Sequence, residues 1–124
     1  MIVGVGVDMV VIERMAQALQ RTPRIARRLL ADAEWLEFEQ VKDPARFLAK
    51  RFAVKEAVLK ALGTGLAQGI SWQEICVQKT AAGQPYVTLQ GQAARQAESL
   101  GIQHWHVSYS DEKAQVVALA IAEK

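Results

Sequence analysis

The sequence predicts one domain in which helices and strands are mixed and one long helix lies closely on a strand. Three observations predict it. The stretch RFLAKRFAVKEAVLKALGTG, Arg46 to Gly65, carries the longest helical pattern in the chain. Five other stretches read as strands: 2–7, 74–79, 86–89, 104–110 and 115–122. The first of these has glycine at alternate positions, Gly4 and Gly6, which strips one face bare and invites the backbone of a packed helix to come close.

The 124 residues, 51% of them hydrophobic, suffice for a single globular core, so one domain is expected over 1–124. A net charge of +2 with a pI near 8.9 neither demands nucleic acid nor excludes an acidic protein partner. The single cysteine, Cys76, excludes an internal disulfide framework and a multi-cysteine zinc site, and it fits a reducing compartment. No apolar run approaches the roughly 18 residues of a membrane span. MIVGVGVDMVVIER also lacks the charged start of a secretory signal. A cytoplasmic protein with no membrane segment is expected.

In order, the first strand places Val3, Val5 and Val7 on one face and Ile2, Gly4, Gly6 and then Asp8 on the other. Asp8 is read as an N-cap for a helix of about Met9 to Gln20, a role compatible with any other. GVGVDM lacks the third glycine of a dinucleotide fingerprint. Arg14, Arg21, Arg24, Arg27 and Arg28 then accumulate with no acidic residue between them. Such a run is either a solvated helical face or a patch for phosphates or an acidic protein surface, and its lack of aromatics speaks against single-stranded nucleic acid. Asp32 to Val41 is predicted as a short helix bearing Trp35 and Phe38, with Asp32 as its cap.

Lys42–Asp43–Pro44 turns into the long helix, where Pro44 can occupy the first turn and Gly63 is the expected left-handed terminator. Gly63–Thr64–Gly65 follows a helix C-terminus, whose dipole repels anions, so by itself it is a cap and a turn rather than a phosphate cradle. AAGQP joins the next two strands as a hairpin. Gly91 to Leu100 is a short helix closed by Gly101. His104 to Ser110 alternates strictly, which places both histidines and both of its serines on one face. Gln115 to Ala122 is apolar on both faces and is predicted as a central strand.

Within the long helix, Phe47, Leu48, Val54, Val58, Leu59 and Leu62 form one apolar arc, read as core. On the opposite arc Ala49, Ala53 and Ala57 surround Glu56 and Lys60, which stack four residues apart. A surface ion pair is the ordinary reading of such residues. The three alanines and Phe52 beside the pair favour a different one, a carboxylate and an ammonium over an alanine-floored groove that holds an anionic ligand with a metal ion. His104 and His106 share a face but lack a third nitrogen or sulfur ligand for zinc. No G-x-S-x-G elbow surrounds Ser71, Ser99, Ser108 or Ser110, which speaks against a serine hydrolase.

GVGVDMVVIERM, RFAVKEAVLKALGTG, GQPYV and HVSYSDE occur in the order and spacing of the holo-(acyl-carrier-protein) synthases, the small bacterial 4'-phosphopantetheinyl transferases. The chain resembles that family over essentially its whole length. The resemblance implies an α+β fold, with the long helix packed across an antiparallel β-sheet, assembling as a homotrimer that binds coenzyme A between subunits. It implies transfer of the 4'-phosphopantetheine group from coenzyme A to a serine of apo-acyl carrier protein, with release of adenosine 3',5'-bisphosphate, in support of fatty acid biosynthesis. Asp8 and Glu56 would hold Mg2+, and Lys60 would stabilise developing negative charge. Lys60, Gly63, Thr64, Gly65 and His106 would border the coenzyme, with His106 facing the cleft of the two carboxylates. Arg14, Arg21, Arg24 and Arg28 would meet the acidic carrier protein. Glu56, His106 or a metal-bound water could each take the serine proton. The rival readings are a nucleic-acid-binding module and a divalent-metal phosphohydrolase.

Overall fold

A computed structural model describes residues 1–124. The order is β1 (Ile2–Val11), α1 (Ile12–Arg21), α2 (Ile25–Leu29), α3 (Asp32–Phe38), α4 (Pro44–Leu62), β2 (Ile75–Lys79), β3 (Pro85–Leu89), α5 (Gly91–Ser99), β4 (His104–Asp111) and β5 (Gln115–Glu123). Two 3-10 turns lie before β2, at Ala67–Gly69 and Trp72–Glu74.

The long helix begins and ends where its punctuation places it. The Asp43 carboxylate accepts the Arg46 backbone N–H at 3.2 Å, Pro44 takes the first helical position, and Gly63 closes the helix at φ 81°. Its apolar arc is buried as expected. The alanine arc is buried too: Ala49, Ala53 and Ala57 have no exposed surface. They do not floor an open groove. Small side chains on this arc let α4 settle on the sheet, where a methyl carbon added to Gly4 would lie 2.1 Å from the Ala61 carbonyl oxygen.

The strands form an antiparallel sheet in the order β1-β5-β4, and β2 pairs with β3 in a separate hairpin. β5 is central, as its apolar sequence predicts. Val116, Ala118, Ala120 and Ala122 turn their buried side chains toward α4. The other face of the sheet keeps Val5, Val7 and Met9 more than half exposed, with Val117 and Leu119 beside them. Lys124 donates its backbone N–H to the Met1 carbonyl at 2.8 Å, so the two ends of the chain meet at one corner.

Two expected caps are not caps. β1 continues to Val11 because β5 pairs with it as far as Val11 opposite Gln115, so Asp8 lies inside the strand, opposite Ala118. α1 starts only at Ile12 and has no side-chain cap. Asp32 is the first residue of α3 rather than the one before it, and it pairs with Arg27. At the other edge of the sheet Asp111 pairs with Arg46 at 2.9 Å and Lys50 at 3.7 Å, tying the end of β4 to the start of α4.

Candidate active site

A cavity of about 500 Å³ opens where the later half of β1 meets α1, α2 and the middle of α4. Met15, Ile25, Leu29, Phe52 and Trp72 supply much of its apolar wall, and its charged lining is Asp8, Glu56, Arg14 and Arg28. Asp8 reaches it because even-numbered residues of β1 face α4, and two glycines earlier on that face bring the helix down to the strand. Glu56 comes from the helix turn beside Ala57, whose carbonyl lies over Gly6. Lys60, one turn further along, donates to the Asp8 carboxylate at 3.0 Å and to the Val7 carbonyl at 2.9 Å. The helical Glu56–Lys60 pair read from the sequence is thus replaced by a pair between strand and helix. Asp8, Glu56 and Lys60 are brought together.

Glu56 is held by a residue that the motifs do not include. The indole Nε1–H of Trp72 donates to Glu56 Oε1 at 2.8 Å, and the Trp72 ring packs at 6.0 Å on Phe52. Beneath them lies a buried ion pair. Lys55 Nζ donates to Glu34 Oε1 at 2.5 Å, to the Leu29 carbonyl at 2.5 Å and to the Trp72 carbonyl at 3.2 Å. Desolvation lowers the Lys55 pKa, against the raising effect of Glu34. The signal for this pair was present, because Lys55 shares a helical face with Leu48, Leu59 and Leu62 and a buried cation needs a partner. Nothing local named Glu34 or Trp72, which arrive from distant segments.

The carboxylates suit a hard divalent cation. Magnesium is commonly bound by one or two protein carboxylates, with waters and substrate phosphates completing its shell. Asp8 and Glu56 line one cavity, and Trp72 occupies only one Glu56 oxygen. No cluster of three or more His, Cys, Asp or Glu side chains that could hold an ion occurs at this cavity or elsewhere, so the protein offers two carboxylates here and no more.

Other expected members stand apart within one chain. His106 is on the outer face of β4, opposite Ile121, which on its other side faces Val5; Asp8 is on the inner face of β1. The sheet separates them, so His106 does not face the carboxylate cleft of its own chain. Its Nε2 lies 2.9 Å from Glu123 Oε1, and that hydrogen bond lowers the Glu123 pKa from 4.5. His106 instead borders a second cavity of about 270 Å³ with Thr80, Gln84, Pro85 and Tyr86. Gly63, Thr64 and Gly65 also lie outside the first cavity, because α4 runs antiparallel to β1 and its end reaches the Gly4 end of that strand. Arg21 and Arg24 are exposed beyond the cavity, whereas Arg14 and Arg28 line it. Thr22 and Pro23 break the basic run between α1 and α2; Arg21 and Arg24 flank this break, and Arg14 and Arg28 lie further into the two helices.

Residues 4–120 match the model of the 4'-phosphopantetheinyl transferase superfamily. The chain is 47% identical to the holo-(acyl-carrier-protein) synthase of Vibrio cholerae serotype O1 over 125 residues, covering 100% of this chain and 99% of the relative. Among solved structures it is similar to the holo-(acyl-carrier-protein) synthase of Neisseria meningitidis, with a TM-score of 0.93, 39% identity and full coverage of both chains. It is also similar to that of Helicobacter pylori in complex with coenzyme A, with a TM-score of 0.83, 26% identity and coverage of 96% and 99%.

Proposed function

The chain belongs to the 4'-phosphopantetheinyl transferase superfamily, and from that premise we propose that it moves the 4'-phosphopantetheine group of coenzyme A onto a serine of apo-acyl carrier protein. The convergence of Asp8 and Glu56 at one cavity, with Lys60 bonded to Asp8, supports this reading. The serine hydroxyl gives its proton to a base at the site, its oxygen bonds to the pantetheine-side phosphorus of the pyrophosphate, the bridging P–O bond breaks, and adenosine 3',5'-bisphosphate leaves. Asp8 and Glu56 would hold magnesium, which would supply charge neutralisation for the transferring phosphoryl group. Lys60 adds a fixed positive charge where negative charge develops, and its bond to Asp8 orients both side chains beforehand. Phe52, Met15 and Ile25 supply an apolar wall beside the transfer.

The active unit is a homotrimer with coenzyme A between subunits. The exposed apolar sheet face supports association, since a contiguous patch of this kind marks a contact surface. Association would also let a neighbouring subunit's His106 and the Gly63–Gly65 loop reach a coenzyme that one chain's cavity does not place beside them. The carrier protein docks on the arginines of α1 and α2. The reaction belongs to fatty acid biosynthesis, and the unpaired, buried Cys76 suits the cytoplasm.

Incubation with coenzyme A, magnesium and an apo carrier protein, followed by intact-mass measurement, tests the reaction. A phosphopantetheine-sized gain on the carrier protein is expected, and it is lost with Asp8→Ala or Glu56→Ala in a chain that remains folded. Adenosine bisphosphate without protein modification would make the chain a hydrolase. Salt-sensitive duplex binding without a mass gain would make it a nucleic-acid module.

A further inference from the structure

Adjacent residues of α4 grip one short turn from two sides. Lys55 bonds the Trp72 backbone carbonyl, and Glu56 accepts the Trp72 indole N–H. The turn is fixed independently by Glu74, which accepts the Ser71 N–H at 3.0 Å, while Glu34, the partner of Lys55, accepts with its second oxygen the N–H of Val77 in the strand that follows at 3.0 Å. A buried lysine and a buried glutamate therefore act as a strut that presents one indole N–H to one carboxylate oxygen.

An indole is a donor only, so it can occupy an oxygen of Glu56 without competing for a cation. Packing alone does not call for that donor at this place, since Phe52 lines the same cavity with an unsubstituted ring. We infer that Trp72 is a positioning residue for Glu56: its N–H holds Oε1, fixes the carboxylate rotamer and leaves Oε2 turned to the ion. This role rests on the reading of Glu56 as a magnesium ligand. Hydrogen-bond partners of metal ligands commonly govern roughly 10–100-fold of metal affinity.

Trp72→Phe keeps a ring against Phe52 and removes the N–H. Mn2+ binding, followed by electron paramagnetic resonance of the free ion at saturating coenzyme A, should weaken about tenfold or more in this variant. The thermal midpoint and the calorimetric affinity for coenzyme A should stay at the wild-type values, and turnover should recover as metal is raised. Glu56→Gln separates the two readings. If it binds Mn2+ like the wild type, Glu56 is not a ligand, and the metal reading and the positioning role fall together. If Glu56→Gln loses the ion while Trp72→Phe keeps wild-type affinity, the metal reading stands and the positioning role is overturned. A Trp72→Phe chain that melts early or loses coenzyme A and Mn2+ equally would also overturn it, making Trp72 a piece of cavity wall.

Discussion

Gly6 and Ala57 touch through backbone alone: a methyl carbon on Gly6 would lie 1.8 Å from the Ala57 carbonyl oxygen. Asp8 follows two residues along the strand and Glu56 precedes Ala57 on the helix, so the same contact sets the spacing of the carboxylates. Overpacking typically costs about 1–3 kcal/mol, and here the obstacle is a helix backbone that cannot rotate away. Gly6→Ala should therefore lose at least about 3 kcal/mol in urea denaturation. It should also reduce transfer, although no reacting side chain is altered. A variant within about 0.5 kcal/mol of wild type would show that α4 can lift without cost.

The Glu34–Lys55 pair should give stability a specific pH dependence. Desolvation holds the Lys55 pKa below 10.5 in the folded chain. Between the folded pKa and 10.5 the unfolded chain binds more protons, so this group's contribution to stability rises with pH across that window. Below the window both states are protonated and the contribution is flat. Lys55→Met should remove the slope and cost about 3–5 kcal/mol, because it strips a buried carboxylate of its closest cation. Denaturation midpoints across an alkaline pH series would check both statements.

The arginines divide by position. Arg21 and Arg24 lie outside the cavity, so Arg21→Glu with Arg24→Glu should raise the Michaelis constant for carrier protein about tenfold, roughly 1.4 kcal/mol, and leave that for coenzyme A unchanged. The effect should fade as the Debye length falls from about 10 Å at 0.1 M salt to about 3 Å at 1 M. Arg14 lines the cavity, and Arg14→Glu should raise both constants. Steady-state kinetics with each substrate varied at both salt concentrations would check the division; equal damage from all three reversals would mean the patch has no separate docking role.

Light scattering should report a trimer for the wild-type chain. Val7→Asp, which places a charge on the exposed sheet face, should give a folded monomer with little affinity for coenzyme A. A fully active monomer would show that one chain builds the whole cleft.

Local signals located what depended on neighbours in sequence. Asp43–Pro44 and Gly63 bounded α4, and Gly4 and Gly6 announced the helix that would lie on them. Other positions depended on pairings between distant segments. Asp8 resembles a cap until β5 extends its strand by four residues, from Val7 to Val11. Alternation placed His104 and His106 on a common face, but only the strand order shows that this face turns away from α4. The alanines were conspicuous for their size, and size alone does not distinguish a groove floor from a buried contact. Arg14 and Arg28 were visible as charges, while their place in the carboxylate cavity follows from how α1 and α2 fold over β1.

Of the five strands described, β1 comes first in the chain, and its sole partner in the sheet, β5, comes last. Throughout synthesis of the residues between them, the strand bearing Asp8 has no ladder to join. The sheet is therefore closed by contacts of the greatest sequence separation, the slow and aggregation-exposed kind, and Asp8 meets its partner Ala118 only after translation has passed residue 118. A message cut short before β5 encodes Glu56 and Lys60 but leaves Asp8 without the strand that pairs opposite it.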